Sequence, residues 1–367
     1  MDDVRKQRHK LAVGQQSSDP SDKEKRRLVL SQETEEDQVM SLSLRPSQLK
    51  EFVGQKDLVE NLKVALQAAR QRKESIEHML FSGPPGLGKT TLAYIVSHEM
   101  NTRITVTSGP AIERAGDLIG ILTNLEKGDI LFIDEIHRLS KTVEEFLYPA
   151  MENFQIDFVV DKGPYARTIK FNLKPFTLIG ATTRSGLLAS PLRDRFGIFY
   201  HLDFYEPEEL SLIVKNSAKK LNLAIDENAA EEIAQRSRGT PRIANRLLRR
   251  VRDYVQVKTS QAKITKEVAV KALETLGIDT AGLDDADRRL LKIMHEYYKG
   301  GPVGVETLAA TLNEEVDTIV DVIEPFLLKT GFLKRTARGR QLADIALKHL
   351  GMNGASSPKD KSQKELF

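Results

Sequence analysis

His78-Met79-Leu80-Phe81-Ser82 runs without a break into Gly83-Pro84-Pro85-Gly86-Leu87-Gly88-Lys89-Thr90-Thr91, and Lys89–Met100 then reads as a helix. Strand, glycine-rich turn and helix amino terminus form the setting in which G-x-x-x-x-G-K-[ST] has physical meaning. The glycines let backbone N–H groups converge on phosphate oxygens, and the positive end of the helix dipole adds to them. Lys89 is expected to reach the β and γ phosphates, the Thr90 hydroxyl to complete a magnesium shell, and Thr91 to add a phosphate hydrogen bond. A plain Gly-Pro turn with an ordinary lysine would not need both flanks. A nucleoside triphosphate with Mg²⁺ is therefore the expected ligand.

Working outward, Ile130-Leu131-Phe132-Ile133 ends in Asp134-Glu135. An apolar strand ending in two acids puts them at the carboxyl edge of a sheet, beside the phosphate loop. Asp134 is expected to hold magnesium through water and Glu135 to polarise the attacking water. The strand Phe176–Ala181 ends in Thr182-Thr183-Arg184. If it lies between the other two strands, Thr183 is the candidate γ-phosphate sensor, although a threonine satisfying a turn reads the same from residues alone. Arg193 and Arg195, two positions apart, do not share a helix face. Arg195 is the candidate arginine finger, for its own site or a neighbour's.

Strands at His78–Ser82, Ile104–Thr107, Ile130–Ile133, Phe176–Ala181 and Ile198–Phe204 alternate with helices such as Gln55–Arg72, which predicts an α/β unit with a parallel sheet. From Glu206 to about Leu276 the pattern is helical only: Glu227–Arg236, Arg242–Val257 and Lys266–Leu276. Arg236, Arg238, Arg242, Arg246, Arg249, Arg250 and Arg252 crowd this unit and read mostly as a solvated basic face. Arg242 is set apart, because it opens its helix after Pro241 and can reach phosphates. Asp284–Lys299, Val305–Leu312 and Val316–Lys329 are three further helices. Gly331–Arg335 and Thr336–Arg340 follow as a strand, a turn and a returning strand, a winged-helix pattern. Arg335, Arg338 and Arg340 are expected to meet DNA phosphates without reading sequence. An apolar hairpin at about 154–171, carrying Ile156, Phe158, Val160, Ile169 and Phe171 around Lys162-Gly163-Pro164, is either buried or offered to a partner.

Composition bounds the rest. The chain has 367 residues, no cysteine and no tryptophan. That removes a disulfide framework, a thiolate metal site and a cysteine nucleophile, and makes an aromatic base-stacking platform a poor fit. Its 55 basic against 52 acidic residues leave +3, so a polyanion partner must be met by a local patch. Apolar runs are too short for a membrane span, and the charged amino terminus has no signal-peptide core, so the expected location is cytoplasmic. Residues 1–41 and 351–367 are small, polar and charged, and are expected to be disordered. The expected divisions are 42–205, 206–276 and 277–350.

Leu44-Arg45-Pro46, Gly83–Thr90, Asp134–Leu139, Gly180–Gly186, Pro191–Gly197 and Gly239–Arg250 occur in an order and spacing that closely resemble the RuvB family of AAA+ motors. The resemblance runs from about Leu42 to Gly351. It implies a large P-loop ATPase domain, a helical lid and a winged-helix head. It also implies an ATPase that drives branch migration of Holliday junctions as a hexameric ring on double-stranded DNA. Carried over by residue, Thr183 matches the first sensor, Arg195 the finger given to the neighbouring subunit, and Arg242 the second sensor. Leu44, Arg45 and Tyr205, with Glu152-Asn153-Phe154, match positions around the adenine and ribose. The resemblance supports Arg335 and Arg340 as DNA contacts, but where it leads one to expect an arginine near the start of the third head helix this chain has Val316. Partners implied are RuvA, through the 154–171 hairpin, and RuvC. Two other functions share part of the pattern: a clamp-loader-like ATPase, against which the winged head and the hairpin count, and an ATP-switched, sequence-selective DNA regulator.

Overall fold

The computed structural model describes residues 43–160, 167–259 and 263–351. The tails expected to be disordered, up to Ser41 and beyond Gly351, and the hairpin turn at Lys162-Gly163-Pro164 lie outside the described residues.

The first unit is a five-stranded parallel sheet, β1 (Met79–Ser82), β2 (Ile104–Ser108), β3 (Ile130–Asp134), β6 (Thr177–Thr182) and β7 (Ile198–His201), in the order β2-β3-β6-β1-β7. β6 pairs with β1 from Met79↔Ile179 to Ser82↔Thr182, and with β3 from Ile130↔Thr177 to Ile133↔Gly180. It therefore lies between the phosphate-loop strand and the acidic strand, as the reading of Thr183 requires. Successive residues point to opposite faces. Met79, Phe81, Ile130, Phe132, Ile179 and Ala181 enter one apolar core, while Leu80, Leu131, Ile133 and Leu178 enter the other. Burial on both faces explains why these strands are unbroken apolar runs.

β7 stops at His201, short of the expected Phe204. The backbone at Asp203 is taken by a side chain instead: Gln55 donates to its carbonyl at 2.5 Å and accepts from its N–H at 3.2 Å. The inserted hairpin is β4 (Gln155–Val160) against β5 (Arg167–Asn172), with Ile156 opposite Phe171. Ile156 is buried and Phe171 is half exposed. The side chains of Phe158, Val160 and Ile169 lie outside those described.

The lid is formed by helices Pro207–Lys220, Glu227–Gln235, Pro241–Lys258 and Lys266–Thr275. It is not purely helical as expected: β8 (Ala224–Ile225) pairs in parallel with β9 (Lys263–Ile264), two residues each, too short to show a period in sequence. The expectation of a solvated arginine face also needs correcting, since Arg236, Arg238 and Arg249 are buried. Arg236 binds Glu232 and the Ile278 carbonyl within the lid.

The head has helices Asp285–Tyr298 and Val305–Leu312, then a third stretch from Val316 to Lys329 that widens to a π turn at Ile319–Ile323. Pro325 follows and has no N–H for the Asp321 carbonyl, so the ordinary ladder cannot continue through it. β10 (Leu333–Thr336) and β11 (Gly339–Leu342) make the wing, with Arg335 opposite Arg340. A closing helix, Asp344–His349, was not expected. Among the described residues no helix is long and apolar enough to cross a membrane.

Lid and head are joined by an ionic cluster. Arg238 holds Asp284 at 3.1 Å, Asp287 at 3.0 Å and the Val322 carbonyl at 3.1 Å, and lies 4.8 Å over the Phe326 ring. Both carboxylates are buried, and each caps the other's backbone N–H at the start of Asp285–Tyr298. Removing the cation leaves two buried acids uncompensated, a loss of roughly 3–5 kcal/mol. Arg238→Ala is thus expected to lower the unfolding temperature clearly by calorimetry. Arg250→Ala, at a partly exposed pair 3.6 Å from Asp253, should stay within about 0.5 kcal/mol of wild type.

Candidate functional site

A cleft of about 1290 Å³ opens between the carboxyl edge of the sheet and the lid. Its floor is the turn after β1. Gly83, at φ +134°, lies so close to the β7 end that a Cβ would sit 2.4 Å from the Leu202 carbonyl oxygen. Gly88, at φ +106°, is the residue before the helix Lys89–Met100. These left-handed positions turn the backbone N–H groups toward the cleft, a cradle that fits phosphate.

Lys89 is buried and donates to the Gly83 and Pro84 carbonyls at 2.7 and 2.9 Å. Burial pushes its ammonium down to about 8, and the charges of Asp134 and Glu135 pull it back up. The Thr90 hydroxyl lies 3.5 Å from Asp134 Oδ2, an all-oxygen pair of the kind magnesium takes. Glu135 adopts φ 50° and places a carboxylate oxygen 3.4 Å from His137 Nε2. Burial first, and Asp134 second, push its carboxyl up. Burial and the Arg184 charge push the His137 imidazole down. The Thr183 hydroxyl lines the cleft and its oxygen is buried with no partner in the protein. An orphaned buried hydroxyl facing a phosphate cradle is what a γ-phosphate sensor needs.

The walls bring together most of the other expected residues. Tyr205 is buried, with its hydroxyl donating to the Leu87 carbonyl at 3.1 Å, so it braces the phosphate loop from the lid junction. Lys220 of the lid donates to the carbonyls of Leu44 and Arg45 at 3.3 and 2.9 Å, fastening that strip over the cleft. Arg45 lies 5.6 Å over the Tyr94 ring. The Arg242 N–H donates to the Gly86 carbonyl at 3.3 Å, which seats the second-sensor candidate on the loop, while Thr91 lines the same cleft. The clasp residue Lys220, the platform Tyr94 and the His137 contact were not singled out in sequence. An isolated lysine, tyrosine or histidine gives no periodic signal.

Glu152, Asn153, Phe154 and Arg195 do not line this cleft, whereas Leu44, Arg45 and Tyr205 do. The reason is length. The helix Lys141–Asn153 starts near the acid pair and runs 13 residues, about 20 Å, away from it. Phe154 then packs edge-on to Phe176 at 5.8 Å. Arg195 shares that remote edge: Nη2 is 2.9 Å from Glu152, Nη1 donates to the Pro191 carbonyl at 2.5 Å, and the guanidinium lies 4.6 Å over Tyr148. Its Nε is buried without a partner.

On the head, Arg335 and Arg340 both grip Glu324, whose carboxylate is buried in the third helix, at 3.0–3.1 Å. Arg340 is 13% exposed and Arg335 55% exposed. Arg340 therefore fastens the wing, and Arg335 with the exposed Arg338 presents its charge to solvent. Val316 is exposed and adds no charge there. Beside it, Asp317 and Asp321 face the ATPase unit and bind Arg184.

Known proteins share this architecture. Residues 44–202 match the Holliday junction DNA helicase RuvB P-loop domain, 205–279 the RuvB AAA lid domain, and 280–351 the RuvB C-terminal winged helix domain. The Holliday junction branch migration complex subunit RuvB of Desulfosudis oleivorans is 56% identical over 337 residues, covering 92% of this chain and 96% of that one. The corresponding subunit of Dehalococcoides mccartyi is 56% identical over 329 residues, 90% and 94% of the two chains. The solved structure of the Thermotoga maritima RuvB Holliday junction branch migration motor superimposes with a TM-score of 0.78 at 52% identity, over 85% of this chain and 99% of that one. With three domains matched in order and relatives this similar along nearly their whole length, the chain belongs to the RuvB family.

Proposed function

We propose that this chain is the motor subunit of a Holliday junction branch migration complex, an ATPase acting in the cytoplasm as a hexameric ring on double-stranded DNA. RuvA docks on the hairpin, where Phe171 offers half-exposed apolar surface, and RuvC acts on the same junction. The observation that carries the reading is the position of Arg195. It stands outside its own cleft, on an edge, with an unpartnered buried Nε. A finger so placed serves a neighbour, and Glu152, Asn153 and Phe154 reach nucleotide only from that same edge, across a subunit boundary.

The chain's own residues supply the steps. The loop N–H groups and Lys89 bind the phosphates. Thr90 and Asp134 would hold a magnesium ion, which would supply positive charge against the phosphates. Glu135 takes up the proton of the attacking water, and Thr183 donates its free hydroxyl to the γ-phosphate. Arg195 of the adjoining subunit stabilises the spreading negative charge, an effect of roughly 10³–10⁵ in rate. Arg242 reports the phosphates to the lid. Leu44, Arg45 and Tyr205 frame the base and sugar.

Lys89→Ala should abolish ATP binding in a fluorescent-nucleotide titration, while Glu135→Gln should bind ATP but not turn it over. Wild-type affinity in the first or wild-type turnover in the second refutes the assignment. On the head, Arg335→Ala with Arg338→Ala should weaken DNA binding alike on unrelated sequences and lower the salt slope by about one to two units. Arg340→Ala should instead destabilise the wing by about 1–3 kcal/mol, because it strips a partner from buried Glu324.

Mixing tests the finger. Glu135→Gln and Arg195→Ala rings should each be inactive, and ATPase activity should return when their subunits exchange. An Arg195→Ala site then receives its finger from a Glu135→Gln neighbour. No recovery despite demonstrated exchange means that the finger does not act in trans.

A further inference from the structure

Arg184 follows the sensor threonine yet points away from the cleft. Its guanidinium takes both carboxylate oxygens of Asp321, at 2.8 and 2.6 Å, and one of Asp317 at 2.8 Å, all on the third stretch of the head. A planar fork on a carboxylate is specific in orientation as well as distance. The contact therefore exists only when the head is docked in one pose on the catalytic edge.

From the same residue a chain of polar contacts runs inward. The Arg184 N–H donates to Thr182 Oγ1 at 3.0 Å, and that oxygen is 2.8 Å from His137 Nδ1. His137 Nε2 is 3.4 Å from the Glu135 carboxylate. The polarity of the chain follows from its members. A carboxylate only accepts, so Nε2 sits beside Glu135 without repulsion when it carries a proton; with one ring proton, Nδ1 then accepts from the Thr182 hydroxyl, whose lone pairs stay open to the Arg184 N–H. At 3.4 Å, longer than a normal hydrogen bond, the imidazole holds the carboxylate by charge and shape and biases where it sits relative to an attacking water. The histidine ring is 6% exposed, so water does not readily replace it in this contact.

We infer that Arg184, Asp317 and Asp321 form a positioning device by which the docked head restrains Glu135 through Thr182 and His137, and that DNA engaging the head releases the restraint. Arg184, Thr182, His137, Asp317 and Asp321 do not line the cleft. The inference rests on the reading of Glu135 as the group that activates water. An ordinary ion pair at this exposure contributes little to stability, so a purely structural contact would leave turnover and its response to DNA unchanged.

The test uses the full chain carrying Asp317→Asn with Asp321→Asn, which leaves the cleft and the wing arginines intact. Steady-state ATPase is measured without DNA and at saturating duplex DNA. The expected result is a several-fold rise in DNA-free kcat at unchanged KM for ATP, so that the ratio of stimulated to basal turnover falls toward one. Arg184→Ala should behave alike, and Asp321→Glu, which keeps the charge, should retain most of the wild-type ratio. An unchanged ratio in the double variant, or a wild-type chain that turns over equally with and without DNA, overturns the inference. Glu135→Gln separates the two failures. If it hydrolyses ATP normally the base is misassigned; if it is dead and the ratio is unchanged, the relay is at fault.

Discussion

The hydrogen bonds that pair β6 with β1 on one side and β3 on the other set the geometry of the catalytic edge. They bring the phosphate loop, the two acids and the sensor turn to one level at the carboxyl ends of three strands. Each strand is buried on both faces, so none can slide by one residue without sending its side chains to the wrong core. Lys89, Asp134, Glu135 and Thr183 come from three strand ends, yet their relative heights follow from one register. The lid and the head are then hung from this edge by polar contacts. Lys220 reaches the Leu44–Arg45 strip, Tyr205 braces Leu87, and Arg184 holds the head.

Much of this was legible in the sequence because it rests on local chemistry. The phosphate loop announces itself by glycines that need left-handed backbone, and β1, β3 and β6 by apolar runs that only a sheet covered on both sides can use. The wing was readable from its glycine turn between two short strands. What could not be read was long-range side-chain pairing. Arg236 and Arg238 look like members of a basic face, and only the fold shows that Glu232, Asp284 and Asp287 have drawn them inside. Arg340 looks as free for DNA as Arg335, and both grip Glu324, but Arg340 is far less exposed. The two-residue pair β8–β9 is below the length at which alternation has meaning.

The Glu152-Asn153-Phe154 stretch shows a different limit. Motif matching puts these residues near nucleotide without stating whose nucleotide, and in the single folded chain they do not line the cleft. Ionic joints also sort by exposure. The Arg238 cluster is buried and binds lid to head as one piece, whereas the Arg184 fork lies where solvent can compete. The first suits a permanent hinge block and the second a contact that is made and broken.

Arg195 has a consequence for economy in the cell. In a lone subunit the guanidinium is occupied by Glu152, Tyr148 and the Pro191 carbonyl, far from any phosphate. On the proposed trans role of Arg195, assembly exchanges that resting place for a neighbour's γ-phosphate. Hydrolysis is then a property of encounter, governed by how many subunits are present and whether DNA has gathered them. On that proposal dilute, unassembled subunits would hold ATP without consuming it, and mass action would be the safeguard against idle turnover.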